Sequence, residues 1–245
     1  MPKKRLDQLL QELLPTYSRQ QIQSWIMQGK VKVNGAVITK PCNATADDAK
    51  IEYDIQEPKY VSRAGFKLEK ALDEFNIDVA GLIVLDAGLS TGGFADCLLQ
   101  RGAAKIYGVD VGYGQAHEKI RADSRVIVME RTNLRDLHNL GQQVDLVTLD
   151  LSFISVLKVM DAIDHLLKDG GKLIVLVKPQ FEAQKHEVGK GGIVRDDAVR
   201  EQVVKQVVNG IALHGYQQQG VVESPITGTD GNREFLAYFI KNTSQ

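Results

Sequence analysis

The chain is poor in cysteine: Cys42 and Cys97 lie far apart and form no Cys-x-x-Cys. That excludes a disulfide framework and a cysteine-rich zinc site, and no metal centre is expected. Each thiol is expected to be free, mostly buried and in a reducing compartment. No apolar run approaches the ~18 residues of a membrane span. The opening Met-Pro-Lys-Lys-Arg has no apolar stretch after it, so no secretory signal is read and a cytoplasmic location is expected. Neither an internal repeat nor a low-complexity segment is present. A charge excess is lacking too: 30 Lys and Arg against 31 Asp and Glu give a net of -1, which excludes a uniformly basic nucleic-acid coat. The charge is unevenly spread, however. Residues 1–40 carry a net of +5, so the other 205 residues carry -6. A small basic head on a mildly acidic body suits a nucleic-acid-binding module joined to something else. The length, 245 residues, allows one large or two unequal domains.

The head reads as helix, turn, helix, hairpin. Leu6, Leu9, Leu10, Leu13 and Leu14 recur at helical spacing, and Pro15 stops the pattern. Ser18 caps a second helix with Ile22, Trp25 and Ile26 on one face and Gly29 at its end. Asn34-Gly35, between β-forming Val31-Lys32-Val33 and Ala36-Val37, is a strong hairpin signal because both turn positions need positive φ. These residues resemble the RNA-binding module first described in small-subunit ribosomal protein four. The stretches that carry the resemblance are Arg5-Leu6-Asp7, Ser18-Arg19, Gly29 to Gly35 and Lys40-Pro41, within residues 3–55. The chain departs from that module at Gln21-Ile22, where a small residue is usual. The resemblance implies phosphate contacts to structured RNA by Arg19, Lys30 and Lys32. The full set of expected RNA contacts is Lys3, Lys4, Arg5, Arg19, Lys30, Lys32 and Arg63.

Pro58, within residues 55–61, marks a boundary between domains 1–58 and 59–245. Ser62 starts a helix that buries Leu68, Ala71 and Leu72. Strands are read at Leu82–Leu85, Lys105–Val109, Arg125–Val128, Val144–Leu149 and Lys172–Val177, with helices between them, and at Gln217–Val222 and Glu234–Ile240 without one. The alternation predicts an α/β, doubly wound, mostly parallel seven-stranded sheet with one antiparallel strand, next to the small α+β head.

The first strand ends in Asp86-Ala87-Gly88-Leu89-Ser90-Thr91-Gly92-Gly93-Phe94 and the second in Asp110. A glycine turn after the first strand lets a ligand approach the backbone, and a carboxylate after the second can accept ribose hydroxyls. Glycines at 88, 92 and 93 do not fit the G-x-G-x-x-G of dinucleotide binders. Asp86 would repel a pyrophosphate but suits the amino group of a methionine moiety, so S-adenosylmethionine is the expected cofactor. Its expected contacts are Asp86, Gly88, Ser90, Thr91, Gly92, Gly93, Phe94, Asp110 and Asn133; Asn133 reads equally as an adenine contact and as a helix cap. Gly189-Lys190-Gly191 lacks the rest of a phosphate-binding loop.

Four charged residues stand out: Lys67 after Ser62, Asp150 ending the fourth strand, Lys178 ending the fifth and Glu234 beginning the last. Strand ends of a parallel sheet meet at one crevice, so Asp150 and Lys178 are expected beside the cofactor. The large domain resembles the FtsJ-like ribose 2′-O-methyltransferases, and the whole chain resembles the TlyA family, often labelled haemolysin. The resemblance rests on Val61 to Lys67, Asp86 to Phe94, Val109 to Gly114, Asp150 to Ser155 and Lys178 to Glu182. It implies a Rossmann-like fold, a catalytic tetrad of Lys67, Asp150, Lys178 and Glu234, and ribosomal RNA or ribosomal subunits as partner, with cytidine as target. Leu89 replaces a usually small residue.

A ribose hydroxyl must lose its proton as the methyl moves. Lys178 can serve as base, with Lys67 lowering its affinity for a proton or holding the ribose, or it can stay protonated and stabilise the alkoxide. Asp150-Leu151-Ser152-Phe153 is not the Asn/Asp-Pro-Pro-aromatic turn of base-amino methyltransferases, and neither cysteine is placed for C5 chemistry. Residues 180–196, with Lys185, His186, Lys190 and three glycines, read as a lid over RNA or as a plain loop. Two other readings compete: a non-catalytic RNA-binding factor, against which the intact tetrad argues, and a membrane-active haemolysin, for which no amphipathic or apolar segment is visible.

Overall fold

The computed structural model describes residues 3–15, 17–55, 58–228 and 230–243; Gln56 and Glu57 of the connecting stretch lie outside them, as do Met1 and Pro2. Two compact units divide the chain, Met1–Pro58 and Lys59–Gln245.

In the first unit strand β1 (Lys3–Arg5) leads into helices α1 (Leu6–Leu13) and α2 (Arg19–Met27) and strands β2 (Val31–Val33), β3 (Ala36–Val37), β4 (Ala44–Ala46) and β5 (Ile51–Tyr53). β1 pairs with β4, and β2 runs between β3 and β5, all antiparallel. Asn34 and Gly35 take φ of 50° and 79°, as the tight turn demands. Leu6, Leu10, Ile22, Ile26 and Val31 form the core. Leu13 of the expected leucine stripe is exposed, because α1 ends there. Ser18 caps α2 as expected, and Gln21 completes a capping box by accepting the Ser18 N–H at 2.8 Å. The unusual glutamine is thus used in the cap, while Ile22 beside it is fully buried. Cys97 is buried in the second unit as expected, but Cys42 is exposed: it lies in the turn before β4, outside the small core.

One buried charge ties α1 to α2. Asp7 accepts from Arg5 Nε at 2.9 Å, from Arg19 Nη2 at 3.1 Å and from Gln23 Nε2 at 2.7 Å. The Arg5 guanidinium, helped by Gln23 and Arg19, holds the Asp7 carboxyl far below the usual carboxylate range against the opposing push of burial. A depressed carboxylate contributes stability that is present above its unfolded value and lost as pH falls. Asp7→Ala is therefore expected to cost this unit about 2 kcal/mol near neutral pH and less in acid. Urea unfolding followed by fluorescence of Trp25, the chain's single tryptophan, measures this; an unchanged midpoint would show that the cluster stabilises nothing.

The second unit contains helix α3 (Ala64–Glu74), strand β6 (Ile83–Ala87), helix α4 (Gly93–Gln100), strand β7 (Lys105–Val109), helix α5 (Glu118–Ala122), and strands β8 (Val126–Met129) and β9 (Val144–Leu149). Helix α6 (Met160–Leu166), strand β10 (Leu167–Val177), helices α7 (Pro179–Glu182) and α8 (Asp197–Leu213), and strands β11 (Tyr216–Glu223) and β12 (Phe235–Lys241) follow. The seven strands form one sheet in the order β11-β12-β10-β9-β6-β7-β8. β12 is the one antiparallel strand, paired on both sides. Val144, Leu146, Val147 and Leu149 of β9 and Leu173 to Val177 of β10 are all fully buried. Both sheet faces are covered, which is why these strands are unbroken apolar runs. One face packs on α6 and α8, the other on α3, α4 and α5. Among the described residues no helix is long and apolar enough to cross a membrane.

Candidate active site

β6 and β9 are neighbours at the centre of the sheet, but the chain leaves them in opposite directions, toward β7 from one and toward β10 from the other. Such a switch point opens a crevice at the carboxyl ends of the strands. Two cavities of about 460 and 580 Å³ meet there and share Gly88, Ser90, Asp150, Ser152 and Phe153 in their walls.

The loop after β6 is shaped for a ligand. Gly88 has φ of 88°, and a Cβ on it would stand 2.3 Å from the Asp150 carbonyl oxygen, so no other residue fits between the two strand ends. Gly92 also lies in the left-handed region, with φ of 94°, and a Cβ on it would meet Ile120 at 2.7 Å. Gly93 is small for another reason: a Cβ would meet the Ser62 hydroxyl at 2.2 Å, so packing of α3 against the start of α4 dictates it. Leu89 is buried and lies over Gly108, whose missing side chain makes room for it. Ser90 and Thr91 lie in the cavity wall, and Phe94, almost fully buried, forms part of its floor.

Asp86 lies buried beneath this loop. Its Oδ1 accepts the Thr148 hydroxyl at 2.8 Å, and its Oδ2 has no hydrogen-bond partner among the described residues. Burial pushes its carboxyl up to about 7, with the Thr148 hydroxyl opposing and the charges of Asp150 and Asp110 adding to the push. Asp86 has no exposed surface and lines neither cavity; a buried acceptor left without a donor is costly, and a positive group brought against the loop would relieve it. Asp110 accepts the Ser90 N–H and the Gly112 N–H, each at 2.7 Å, so it fixes the loop while keeping a lone pair on each oxygen for hydroxyl groups. Asn133 caps the short 3₁₀ turn Leu134–Asp136 through Arg135 N–H at 3.2 Å, and it also lines the second cavity. The residues fit an amino-acid moiety at one end and an adenosine at the other.

All four members of the expected tetrad line the first cavity. They form two ion pairs. Lys67, in the first turn of α3, reaches Glu234 Oε2 at 2.5 Å, and Lys178 reaches Asp150 Oδ1 at 2.6 Å. Lys178 also donates to the Ser152 hydroxyl at 2.9 Å. The partner of Lys67 is thus a carboxylate on β12's leading edge, a pairing across 167 positions that strand-end reasoning does not reach.

Sequence reasoning also missed Ser152 and Phe153. Phe153 is 91% exposed, has φ of 64° and packs its ring 5.1 Å from that of Phe181. A large apolar side chain in the left-handed region, displayed at a cavity mouth, is held there against its own preference. Nothing in Asp-Leu-Ser-Phe announces that conformation.

The expected RNA contacts divide into groups. Arg63 belongs to the cavity wall of the second unit. Lys30 and Lys32 are exposed and make no ion pair among the described residues, and Lys3 is exposed. Lys4 pairs with Glu12, while Arg5 and Arg19 share Asp7 and keep about half of their side-chain surface in water. Asp161, Asp164 and His214 bring potential metal ligands together at the opposite end of the sheet, where Asp164 is already engaged by His214 at 2.9 Å and by the Tyr216 hydroxyl at 2.8 Å.

Comparison with known proteins agrees with this geometry. Residues 60–241 match the family model of FtsJ-like methyltransferases, and residues 4–41 match the S4 domain. Hemolysin A of Brachyspira hyodysenteriae is 42% identical over 239 residues, covering 96% of this chain and 99% of that protein. The 16S/23S rRNA (cytidine-2′-O)-methyltransferase TlyA of Mycobacterium tuberculosis is 42% identical over 231 residues, covering 93% of this chain and 86% of that protein. A solved structure from Streptococcus thermophilus, also described under the hemolysin label, superposes with a TM-score of 0.76 at 39% identity, covering 100% of this chain and 90% of that one.

Proposed function

The chain belongs to the FtsJ-like methyltransferases, whose methyl donor is S-adenosylmethionine, and carries an S4 domain; from that premise we propose that it methylates a ribose 2′-hydroxyl of ribosomal RNA. The observation that carries this reading is the pair of lysine–carboxylate contacts, Lys178 with Asp150 and Lys67 with Glu234, in a cavity that opens onto the loop 88–93. The name of the mycobacterial relative supports cytidine as the target nucleoside and the two subunit RNAs as substrate. A ribosomal substrate also supports a cytoplasmic location. We assign RNA holding to residues 1–58 and transfer to residues 59–245.

The donor supplies a methyl group on a positively charged sulfur. Asp86 would hold its amino group, Gly88 and Ser90 its backbone-facing side, and Asp110 and Asn133 its adenosine. As a neutral amine Lys178 would keep one N–H on Asp150 and one on Ser152, which leaves its lone pair for the 2′-hydroxyl. The hydroxyl proton passes to the Lys178 nitrogen as the oxygen–methyl bond forms and the sulfur–methyl bond breaks, and the Lys67–Glu234 pair orients the ribose. Lys30, Lys32 and the half-exposed Arg5 and Arg19 meet phosphates, and Arg63 meets RNA at the cavity itself.

Phe153 offers a stacking face for the target base. Base–aromatic stacking is worth about 1–3 kcal/mol, so Phe153→Ala is expected to raise the KM for RNA roughly 5- to 150-fold with donor affinity unchanged. Steady-state kinetics with each substrate varied checks this; a KM unchanged for RNA removes Phe153 from the substrate site. The function as a whole is tested by incubating the protein and labelled S-adenosylmethionine with ribosomal subunits that lack the modification. Label in the RNA is expected; donor binding with no label in either subunit or free RNA would overturn the proposal.

A further inference from the structure

The β11–β12 connection and the glycine-rich segment after α7 are far apart in the chain, yet one buried side chain joins them. Asn232 Oδ1 accepts the Val194 N–H at 3.0 Å, and Asn232 Nδ2 donates to the Gly192 carbonyl at 2.8 Å. The Val194 carbonyl accepts Arg200 Nη1 at 2.6 Å, so both polar backbone groups of this buried residue are satisfied by side chains. Within its own connection, the Asn232 carbonyl accepts the Gly228 N–H at 2.8 Å. Gly228 packs against Glu234: a Cβ there would lie 2.5 Å from Glu234 Oε1. Ile226, Thr227 and Asp230 of the same connection line the catalytic cavity.

The segment on the other side of Asn232 carries Lys185, His186, Lys190 and Arg195, none of which makes an ion pair among the described residues, while its two acids, Glu187 and Asp196, are occupied by the Gln184 and Ala198 N–H groups. Its turn is shaped internally by Gly189 N–H to the Ile193 carbonyl at 3.0 Å and by Gly192 N–H to the Gly189 carbonyl at 3.1 Å. The turn therefore has its own form, and its attachment to the cavity wall goes through the carboxamide of Asn232.

We propose that Asn232 is a positioning residue that locks the segment 184–196 to the cavity wall formed by Ile226, Thr227 and Asp230, so that one side chain sets both the seat of Glu234 and the placement of Lys185, Lys190 and Arg195 for RNA. The inference rests on the reading of RNA as the substrate. A neutral amide bonded at both ends can do this without bringing charge to the tetrad, whereas alanine would leave the buried Val194 N–H without a partner and release the carbonyl of exposed Gly192.

The test uses the full chain as wild type, Asn232→Ala and Asn232→Asp. Hydrogen exchange at residues 189–195, the dissociation constant for S-adenosylmethionine, and KM and kcat with ribosomal RNA are measured for each. For Asn232→Ala, exchange at the Val194 amide is expected to rise about tenfold, the loss of one net hydrogen bond, with a KM for RNA raised to a similar degree and donor affinity unchanged. Asn232→Asp keeps the acceptor for Val194 but loses the donor to Gly192, so its Val194 exchange should stay near wild type while the KM for RNA rises. The proposal is overturned if Val194 exchange and the KM for RNA are unchanged in a folded Asn232→Ala protein, or if donor affinity falls as much as RNA affinity, the mark of a merely structural role. Should Asn232→Ala fail to fold, Asn232→Asp decides: a raised KM for RNA with intact donor binding supports the lock, and an unchanged KM overturns it. Wild-type transfer in the same assay separates the two ideas, because its absence defeats the functional reading while Val194 exchange still judges the lock.

Discussion

Lys178→Ala is expected to lower kcat by about 10²- to 10⁴-fold and to leave the dissociation constant for S-adenosylmethionine nearly unchanged. The expectation follows from where the ammonium sits. It ends the buried strand β10, bonded to Asp150 and Ser152, and it has no bond to the loop 88–93 or to Asp86. Removing it takes away the group proposed to meet the reacting oxygen and leaves the loop 88–93 and Asp86 untouched. Lys178→Arg keeps a cation but not a group that can take a proton, and the planar guanidinium does not match the spacing of Asp150 and Ser152. It should stay nearly as slow as the alanine variant. Wild-type activity in the arginine variant would show that charge alone suffices, and near-wild-type activity in the alanine variant would remove Lys178 from the chemistry. Asp150→Asn combined with Lys178→Ala should cost little more than Lys178→Ala alone, since the pair acts as one unit.

Asp86 predicts a second large effect, of opposite sign for binding and for stability. With its carboxyl raised to about 7, the donor-free protein holds a neutral group there below that pH and a buried anion above it. An ammonium group binds the anion, so donor affinity should strengthen as pH rises through about 7 and then level off. Asp86→Asn should abolish that dependence and weaken donor binding by about 10- to 100-fold at pH 8. Stability runs the other way. Between the carboxyl's ordinary value of 3.8 and its folded value of about 7 the native state holds a proton that the unfolded chain has released. The contribution of Asp86 is thus present below the unfolded value and lost as pH rises through the folded one, to an extent of roughly 4 kcal/mol. At pH 8 the donor-free Asp86→Asn protein should melt above wild type, and added donor should raise the wild-type midpoint more. Equal midpoints together with equal donor affinities would contradict this account of Asp86.

The seven-stranded sheet was legible because its strands are apolar runs of the right length separated by helical segments, and the lack of a helix between the last two strands pointed to one antiparallel strand, which the fold shows to be β12. The early part of β10 was not legible. Lys168-Asp169-Gly170-Gly171 reads as a turn, and it joins the sheet only through an irregular register against β9, with Gly170 at φ of 71°. In the site, Asp86, Asp110, Asp150 and Lys178 could be read from strand ends, while Lys67 and Glu234 were drawn into the set by the family resemblance. Their pairing could not, since it depends on how α3 packs across the sheet to bring Lys67 to Glu234. Gly93 looks like Gly88 in the sequence, yet steric contact with Ser62 explains it, whereas a left-handed backbone and the approach of two strand ends explain Gly88. Phe153 shows the reverse limit: a backbone conformation that its residue type disfavours leaves no local signal, and only the folded chain displays the ring at the cavity mouth.

The central claim is that the methyl group goes to a ribose oxygen, and the most direct measurement is alkaline hydrolysis of ribosomal RNA labelled by the purified protein. A 2′-O-methyl group removes the nucleophile that alkali uses to cut the chain, so the account predicts label confined to alkali-resistant dinucleotides and absent from product made with Lys178→Ala. Label released in ordinary mononucleotides would place the methyl on a base and contradict the role given to the Lys178–Asp150 pair.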